Sequence, residues 1–219
     1  MKQVPSDKYN IAWFKLAECV ARGEKERAFG VYRLLAHSFS NTAFVQQLEG
    51  DLLLSFGEHE QAVIVYEQAA QSYYDQSALR ETAAVYEHLI TLEPKKITYL
   101  KRLIDLYKEL SCTNRLTDLV EQLCTTLIEA NQPVQASTAF NRYDQHFTEK
   151  EALHLHEKMV FALLKPQTKH SDQALIHIKK VVEGLVKLTA NKELQLFLSK
   201  IEALDNDCYL QACTYLEKA

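Results

Sequence analysis

The chain has 219 residues, 47% of them hydrophobic and 25% charged, enough to bury a core without help from metal or disulfides. Its net charge of -4 is spread evenly, with 13 Lys+Arg against 15 Asp+Glu in residues 1–110 and 12 against 14 in residues 111–219. That balance excludes the basic footprint of a nucleic-acid binder, and the densest basic cluster, Lys179, Lys180 and Lys187, reads as a solvated helix face.

Only 5 Gly and 4 Pro are present, too few for a sheet protein with many tight turns, and apolar residues recur with helical periodicity throughout. The first predicted helix carries Ile11, Phe14 and Val20 in one stripe and ends at Arg22-Gly23-Glu24; Ala28, Tyr32 and Leu35 mark the second. A third helix is predicted over 42–56, a fourth over 59–74, and a fifth opened by Ser77 and closed by Glu93-Pro94, since the residue before proline resists the helical conformation. Ile97–Leu110 and Leu116–Ala130 follow, separated by the polar Ser111-Cys112-Thr113-Asn114. Asn131-Gln132-Pro133 starts the next helix, and Thr148-Glu149-Lys150-Glu151 is a capping box. Pro166 and Ser171 bracket a connection to a longer helix over 172–189, and Asn191 and Asn206 precede two final helices. The terminal helix reads as a cap, with Tyr209, Leu210, Cys213 and Leu216 inward and Asp207, Gln211 and Glu217 outward.

The expectation is an all-α chain of about twelve helices. The opening MKQVPSDKYN lacks a hydrophobic signal core, and no uncharged run approaches the length of a membrane span, so a cytoplasmic protein without membrane contact is expected. The five cysteines are odd in number and lack C-x-x-C pairs. Cys19, Cys124 and Cys213 fall in apolar stripes, as small core residues of a reducing compartment.

Sliding the sequence against itself exposes a repeat. Gly23-Glu24-Lys25-Glu26-Arg27-Ala28 aligns with Gly57-Glu58-His59-Glu60-Gln61-Ala62 at a shift of 34, which also sets Tyr32 on Tyr66 and Val31 on Val65. Ala17, Gly50, Ala28 and Ala62 are small where two helices would approach closely, while Trp13, Tyr32 and Tyr66 supply large apolar area. Trp13, Leu16, Ala17 and Val20 leading to Ala28, Tyr32 and Leu35 resemble the tetratricopeptide repeat family. So do Gly50 and Leu53 leading to Ala62, Tyr66 and Ala69, although Glu49 stands where the family usually has leucine. Val120, Leu123, Cys124 and Leu127 leading to Ala136, Phe140 and Tyr143 repeat the pattern, while Ala83 and Tyr86 precede a connection lengthened by Leu92-Glu93-Pro94-Lys95-Lys96. A second frame takes Thr82, Tyr86 and Leu89 as a second helix and Leu100, Leu103, Ile104 and Tyr107 as a first; the initial frame is preferred because it stays in phase from Trp13 to Tyr143.

The resemblance is clear over 10–148 and rests on helical periodicity alone over 149–219. It implies a single domain over 1–219, a right-handed superhelix of stacked antiparallel hairpins, in which each hairpin hides its apolar face against the next.

His59-Glu60 opens the zinc-peptidase pattern H-E-x-x-H, but the second histidine's place is taken by Val63, and Glu58, His59 and Glu60 read as the polar start of a helix. His154 and His156 lie about 200° apart on a helix and cannot chelate one ion from one face. His170 and His177 lack an acidic or thiol companion, so all four read as ordinary polar helix histidines. No nucleophile motif or phosphate loop is present. The expectation is a non-enzymatic protein without metal or cofactor.

The resemblance implies an interaction scaffold that holds a peptide or partner helix in a concave groove. Its lining would include Gln47 and Asp51, then Arg80, Glu87 and His88, then Asp118, Glu121 and Thr125. Acidic residues outnumber basic ones there, which suits a basic or amphipathic partner. One subgroup of the family grips a chaperone's C-terminal carboxylate with lysines and asparagines; Phe14, Glu18, Gln47 and Asp51 occupy the corresponding surfaces and disfavour that role. A ligand-sensing regulator and a homo-oligomer built through terminal helices remain alternatives.

Overall fold

The computed structural model describes residues 7–112, 115–165 and 170–218. The opening MKQVPS, Thr113-Asn114 of the polar break, and Pro166 lie outside the described residues.

Twelve α-helices and no strand are found among the described residues. The chain divides into two compact units, Met1–Leu110 and Ser111–Ala219. The first holds α1 (Asp7–Ala21), α2 (Lys25–Ala36), α3 (Thr42–Ser55), α4 (His59–Asp75), α5 (Leu79–Leu92) and α6 (Ile97–Glu109). The second holds α7 (Leu116–Glu129), α8 (Pro133–Tyr143), a 3-10 turn (Asp144–His146), α9 (Glu149–Leu163), α10 (Ser171–Lys187), α11 (Asn191–Leu204) and α12 (Asn206–Lys218). In each unit successive helices pair as hairpins, the tetratricopeptide-like architecture that the repeat implies.

One turn recurs. At the end of α1, Glu24 N–H donates to Cys19 O (2.9 Å) and Gly23 N–H to Val20 O (3.0 Å), with Gly23 at φ +71°. These paired bonds satisfy carbonyls that the helix end would otherwise orphan, and they require a left-handed residue. Thirty-four residues later Gly57 repeats the turn at φ +78°, with Glu58 N–H donating to Leu53 O at 3.0 Å. The turns after α4, α7 and α10 use Ser77, Asn131 and Thr189 at φ +57°, +58° and +53°. Ser77 therefore closes α4, where the sequence suggested that it opens α5. A side-chain oxygen two residues before a helix body resembles a cap, but the backbone here needs its left-handed residue first. Pro133 does stand in the first turn of α8. Thr148 and Glu151 form the full capping box, the Thr148 N–H donating to Glu151 Oε2 at 2.9 Å.

In the first unit Leu16, Ala28, Tyr32, Leu35 and Leu52 make a buried cluster, with Trp13, Val20 and Phe56 packed against it. Burying a side chain of this size contributes about 1.5–3 kcal/mol. Ile11 and Phe14, placed by periodicity on one stripe with Val20, are 57% and 77% exposed. The inward line is Trp13, Leu16 and Val20, three and four residues apart, and it turns Ile11, Phe14 and Ala17 outward. Gly50 fulfils its expected role, since a Cβ there would lie 2.8 Å from the Tyr66 ring.

In the second unit Val120, Leu123, Cys124 and Leu127 of α7 pack with Ala136 and Phe140 of α8, all buried. Burial pushes the Cys124 thiol up to about 12, as befits a core residue. Helix α12 packs on α10 and α11. It does so through Cys208 and Ala212, while Leu210 and Leu216 are exposed, so the cap is rotated from the expected face. Asp205 sets that rotation: its carboxylate accepts from Cys208 N–H at 3.0 Å and from Ser171 Oγ at 3.1 Å, tying the start of α12 to the start of α10.

Candidate functional site

Five tyrosines in the first unit sit in helical stripes, and a buried phenol must place its hydroxyl. Each donates to an acid or amide on another helix. Tyr66 donates to Asp51 (2.5 Å), Tyr73 to Gln47 (3.0 Å), Tyr99 to Glu67 (2.5 Å), Tyr32 to Glu49 (3.1 Å), and Tyr107 to Glu87. Glu49, which stands where the repeat family has leucine, is thereby explained.

These bonds hold two of the residues expected to meet a partner. Gln47 and Asp51 lie one turn apart on α3 and are held by two tyrosines of α4. The His88 ring of α5 meets Tyr66 edge-on at 4.8 Å, and its Nε2 is buried without a hydrogen-bond partner. The Tyr73 hydroxyl is held above the usual phenol range, first by burial and then by the charges of Glu81 and Asp51. Burial, followed by the bond to Asp51, does the same for Tyr66. Both hydroxyls therefore remain donors at neutral pH, and Asp51 stays fixed and solvent-exposed. The tyrosines and Glu81 were not read from the sequence; the signal available was a phenol in a stripe that otherwise carries only apolar groups.

Arg80 is exposed at the start of α5 and forms no part of the tyrosine network. Glu87 belongs to the α5–α6 pair through Tyr107. In the second unit Asp118 is exposed in the first turn of α7, Glu121 pairs with Lys158 of α9 at 3.3 Å, and Thr125 is half-buried.

The second unit holds a polar cluster in its core. Ser137 of α8, His156 of α9 and His177 of α10 are 7%, 7% and 0% exposed. His177 Nε2 lies 2.6 Å from Ser137 Oγ, and the two Nδ1 atoms lie 2.7 Å apart. Burial holds both imidazoles down to about 4; Lys180 adds to the effect on His156, and His156 to that on His177. Both rings are neutral at pH 7, so one Nδ1 donates and the other accepts, and the Ser137 hydroxyl completes the chain in either direction. The Phe140 ring packs perpendicular to His156 at 4.8 Å. These two histidines are therefore core groups, correcting the reading of ordinary polar helix histidines. His177 lies three residues after Ala174 and one before Ile178, and His156 three before Met159, positions that a stripe assigns to the interior.

No group of three or more His, Cys, Asp or Glu side chains able to hold a metal ion occurs among the described residues. None of the helices is long and apolar enough to cross a membrane.

Sequence comparison matches neither a protein-family profile nor a curated protein. Structural comparison finds MamA residues 41-end from Desulfovibrio magneticus RS-1 at 14% identity, covering 93% of this chain and 98% of that one with a TM-score of 0.27. The C-terminal part of a TPR repeat-containing protein from Cytophaga hutchinsonii is 10% identical, with 92% of each chain covered and a TM-score of 0.31. The TPR2AB domain of yeast Sti1, in complex with pHSP90, is 11% identical over 95% of this chain and 100% of that one, with a TM-score of 0.27. Likeness at this level transfers no residue and no partner. The tetratricopeptide-like description rests on the 34-residue repeat and the hairpins themselves.

Proposed function

We propose that the protein is a non-enzymatic interaction scaffold whose first unit receives a basic or amphipathic segment of a protein partner. The carrying observation is that Tyr66 and Tyr73 hold Asp51 and Gln47 in place beside His88 and Glu81. A fixed, exposed carboxylate loses little side-chain entropy on meeting a cation, and preorganisation of this kind raises affinity. Arg80 and Glu87 on α5, and Asp118, Glu121 and Thr125 on α7, are further contacts of the scaffold, each on its own unit's surface.

The test is affinity capture from native lysate with wild type, Asp51→Lys, Asp51→Asn and Glu121→Lys. Asp51→Asn keeps an acceptor for Tyr66 and removes only the charge. Partners retained by wild type and lost from both Asp51 variants support the reading; an unchanged set overturns it. A second reading, self-association through the terminal helices, draws on Leu196, Leu204 and Leu210, which are 56%, 44% and 55% exposed. Light scattering tests it, since a strict monomer at high concentration removes it.

A further inference from the structure

The histidine chain in the second unit ends at a cavity. His156 lines a space of about 370 Å³ between α9 and α10, walled by Phe147, Leu153 and Leu188. That volume falls within the range of about 300–1,000 Å³ typical of small-ligand sites. Nδ1 of His156 is engaged by His177, so Nε2 is the polar atom that His156 has left for another partner.

When Ser137 donates to His177 Nε2 and His177 Nδ1–H donates to His156, the His156 proton sits on Nε2. Three polar groups buried in a core are costly unless each is bonded. A chain that ends at a cavity wall therefore offers its terminal donor to whatever enters.

The charges around the cavity select the ligand. Lys180 lines it and makes no ion pair among the described residues, whereas Glu149 is paired with Lys187 and Glu183 with Lys179 at 3.8 Å. Asp144 also lines the cavity and disfavours a dianion such as a phosphomonoester. Lys180 and the imidazole N–H supply the donors, and the walls are apolar. Asp144 keeps the net charge of the lining low, so the space suits at most a single negative charge on an apolar body.

We infer that this cavity binds a monocarboxylate carried on a short apolar stem, its oxygens accepting from Lys180 and from His156 Nε2–H. The site is separate from the surface proposed for the first unit, and its success or failure leaves that reading untouched. Such a carboxylate could be a free acid or the C-terminus of a peptide with apolar last residues.

The test is imidazole ¹⁵N spectroscopy of the full chain during titration with hexanoate, hexanol and hexyl phosphate. Hexanoate is expected to shift the His156 and His177 nitrogens saturably and to hold the His156 proton on Nε2, with hexanol and hexyl phosphate at least about tenfold weaker. Lys180 is exposed, so Lys180→Gln should keep the helical circular dichroism of wild type while weakening hexanoate about tenfold. N-acetyl-Leu-Leu with a free carboxylate, compared with its C-terminal amide, separates the two sources. Tighter binding of the free-acid peptide than of hexanoate assigns the site to a polypeptide terminus, and weaker binding assigns it to a small acid. Absence of a saturable shift with both carboxylates, hexanol or hexyl phosphate matching hexanoate, or full affinity in a folded Lys180→Gln protein each overturns the inference.

Discussion

Replacing Gly50 with alanine tests the account of the repeat at its tightest point. The added Cβ would lie 2.8 Å from Cε1 and Cζ of Tyr66 and 2.9 Å from Cδ1, against an optimal carbon separation of about 3.5–4.0 Å. The ring must therefore retreat by roughly 0.7–1.2 Å. Tyr66 is only 1% exposed, its hydroxyl is bonded to Asp51 and its face meets His88, so the retreat disturbs packing and hydrogen bonding together. Overpacking of this kind costs about 1–3 kcal/mol, while alanine recovers about 0.8–1 kcal/mol of helix propensity over glycine. The net expectation is a loss of roughly 0–2 kcal/mol, or a fall in Tm of up to about 8 °C for a chain of this size, in contrast to a gain at an unhindered position. Gly30 is the internal control, because a Cβ there meets nothing within 4 Å and Gly30→Ala should stabilise by about 0.5–1 kcal/mol. Urea and thermal unfolding of both variants are the assay. A Gly50→Ala protein as stable as Gly30→Ala would refute the close α3–α4 approach.

Two further predictions follow from the second unit. His156 and His177 have folded values near 4 against an ordinary 6.5, so the unfolded chain takes up protons between those values while the folded one does not. Stability is therefore expected to be flat in these groups above pH 6.5 and to fall by on the order of 3 kcal/mol for the coupled pair as the pH drops to 4, with both imidazoles still neutral by ¹⁵N spectroscopy at about pH 5.5. Protonation of either ring at that pH contradicts their burial. Thr189, a β-branched residue at φ +53°, carries left-handed strain of about 1–2 kcal/mol, partly offset in glycine by its greater unfolded-state entropy. Thr189→Gly should raise stability by about 0.5–1 kcal/mol in urea unfolding, and a destabilised variant contradicts the turn geometry.

Helix positions were legible because each apolar stripe, the Thr148–Glu151 box and Pro133 act through local geometry that the sequence states directly. The 34-residue shift exposed the Gly23 and Gly57 turns for the same reason, since only a left-handed position requires glycine there. Ser77 and Thr189 hold equivalent turns without it, and a polar residue at such a place is indistinguishable in sequence from a cap. Faces were less legible than helices. Leu210 lost the interior of α12 to Cys208 because the Asp205 cap fixes the helix's rotation, a choice made by a contact with Ser171 on α10. Of the residues expected on a partner surface, Gln47, Asp51 and His88 lie near one another, but the tyrosines that link them pair across helices and leave no periodic mark. His156 and His177 were hidden because polarity scales count imidazole as a surface group, whereas a neutral ring with its nitrogens bonded sits readily in a core.

The central claim is that the first unit presents a fixed acidic surface to a cationic partner. It is tested most directly by mapping backbone amide shifts of the ¹⁵N-labelled full chain while adding a cationic amphipathic helical peptide at about 0.15 M salt, where only close charge contacts survive screening. The account predicts saturable shifts centred on Gln47, Asp51 and His88, extending along α5 to Glu87, and lost in Asp51→Lys. Shifts centred elsewhere, or an equal response to an acidic peptide of matched hydrophobicity, would contradict it.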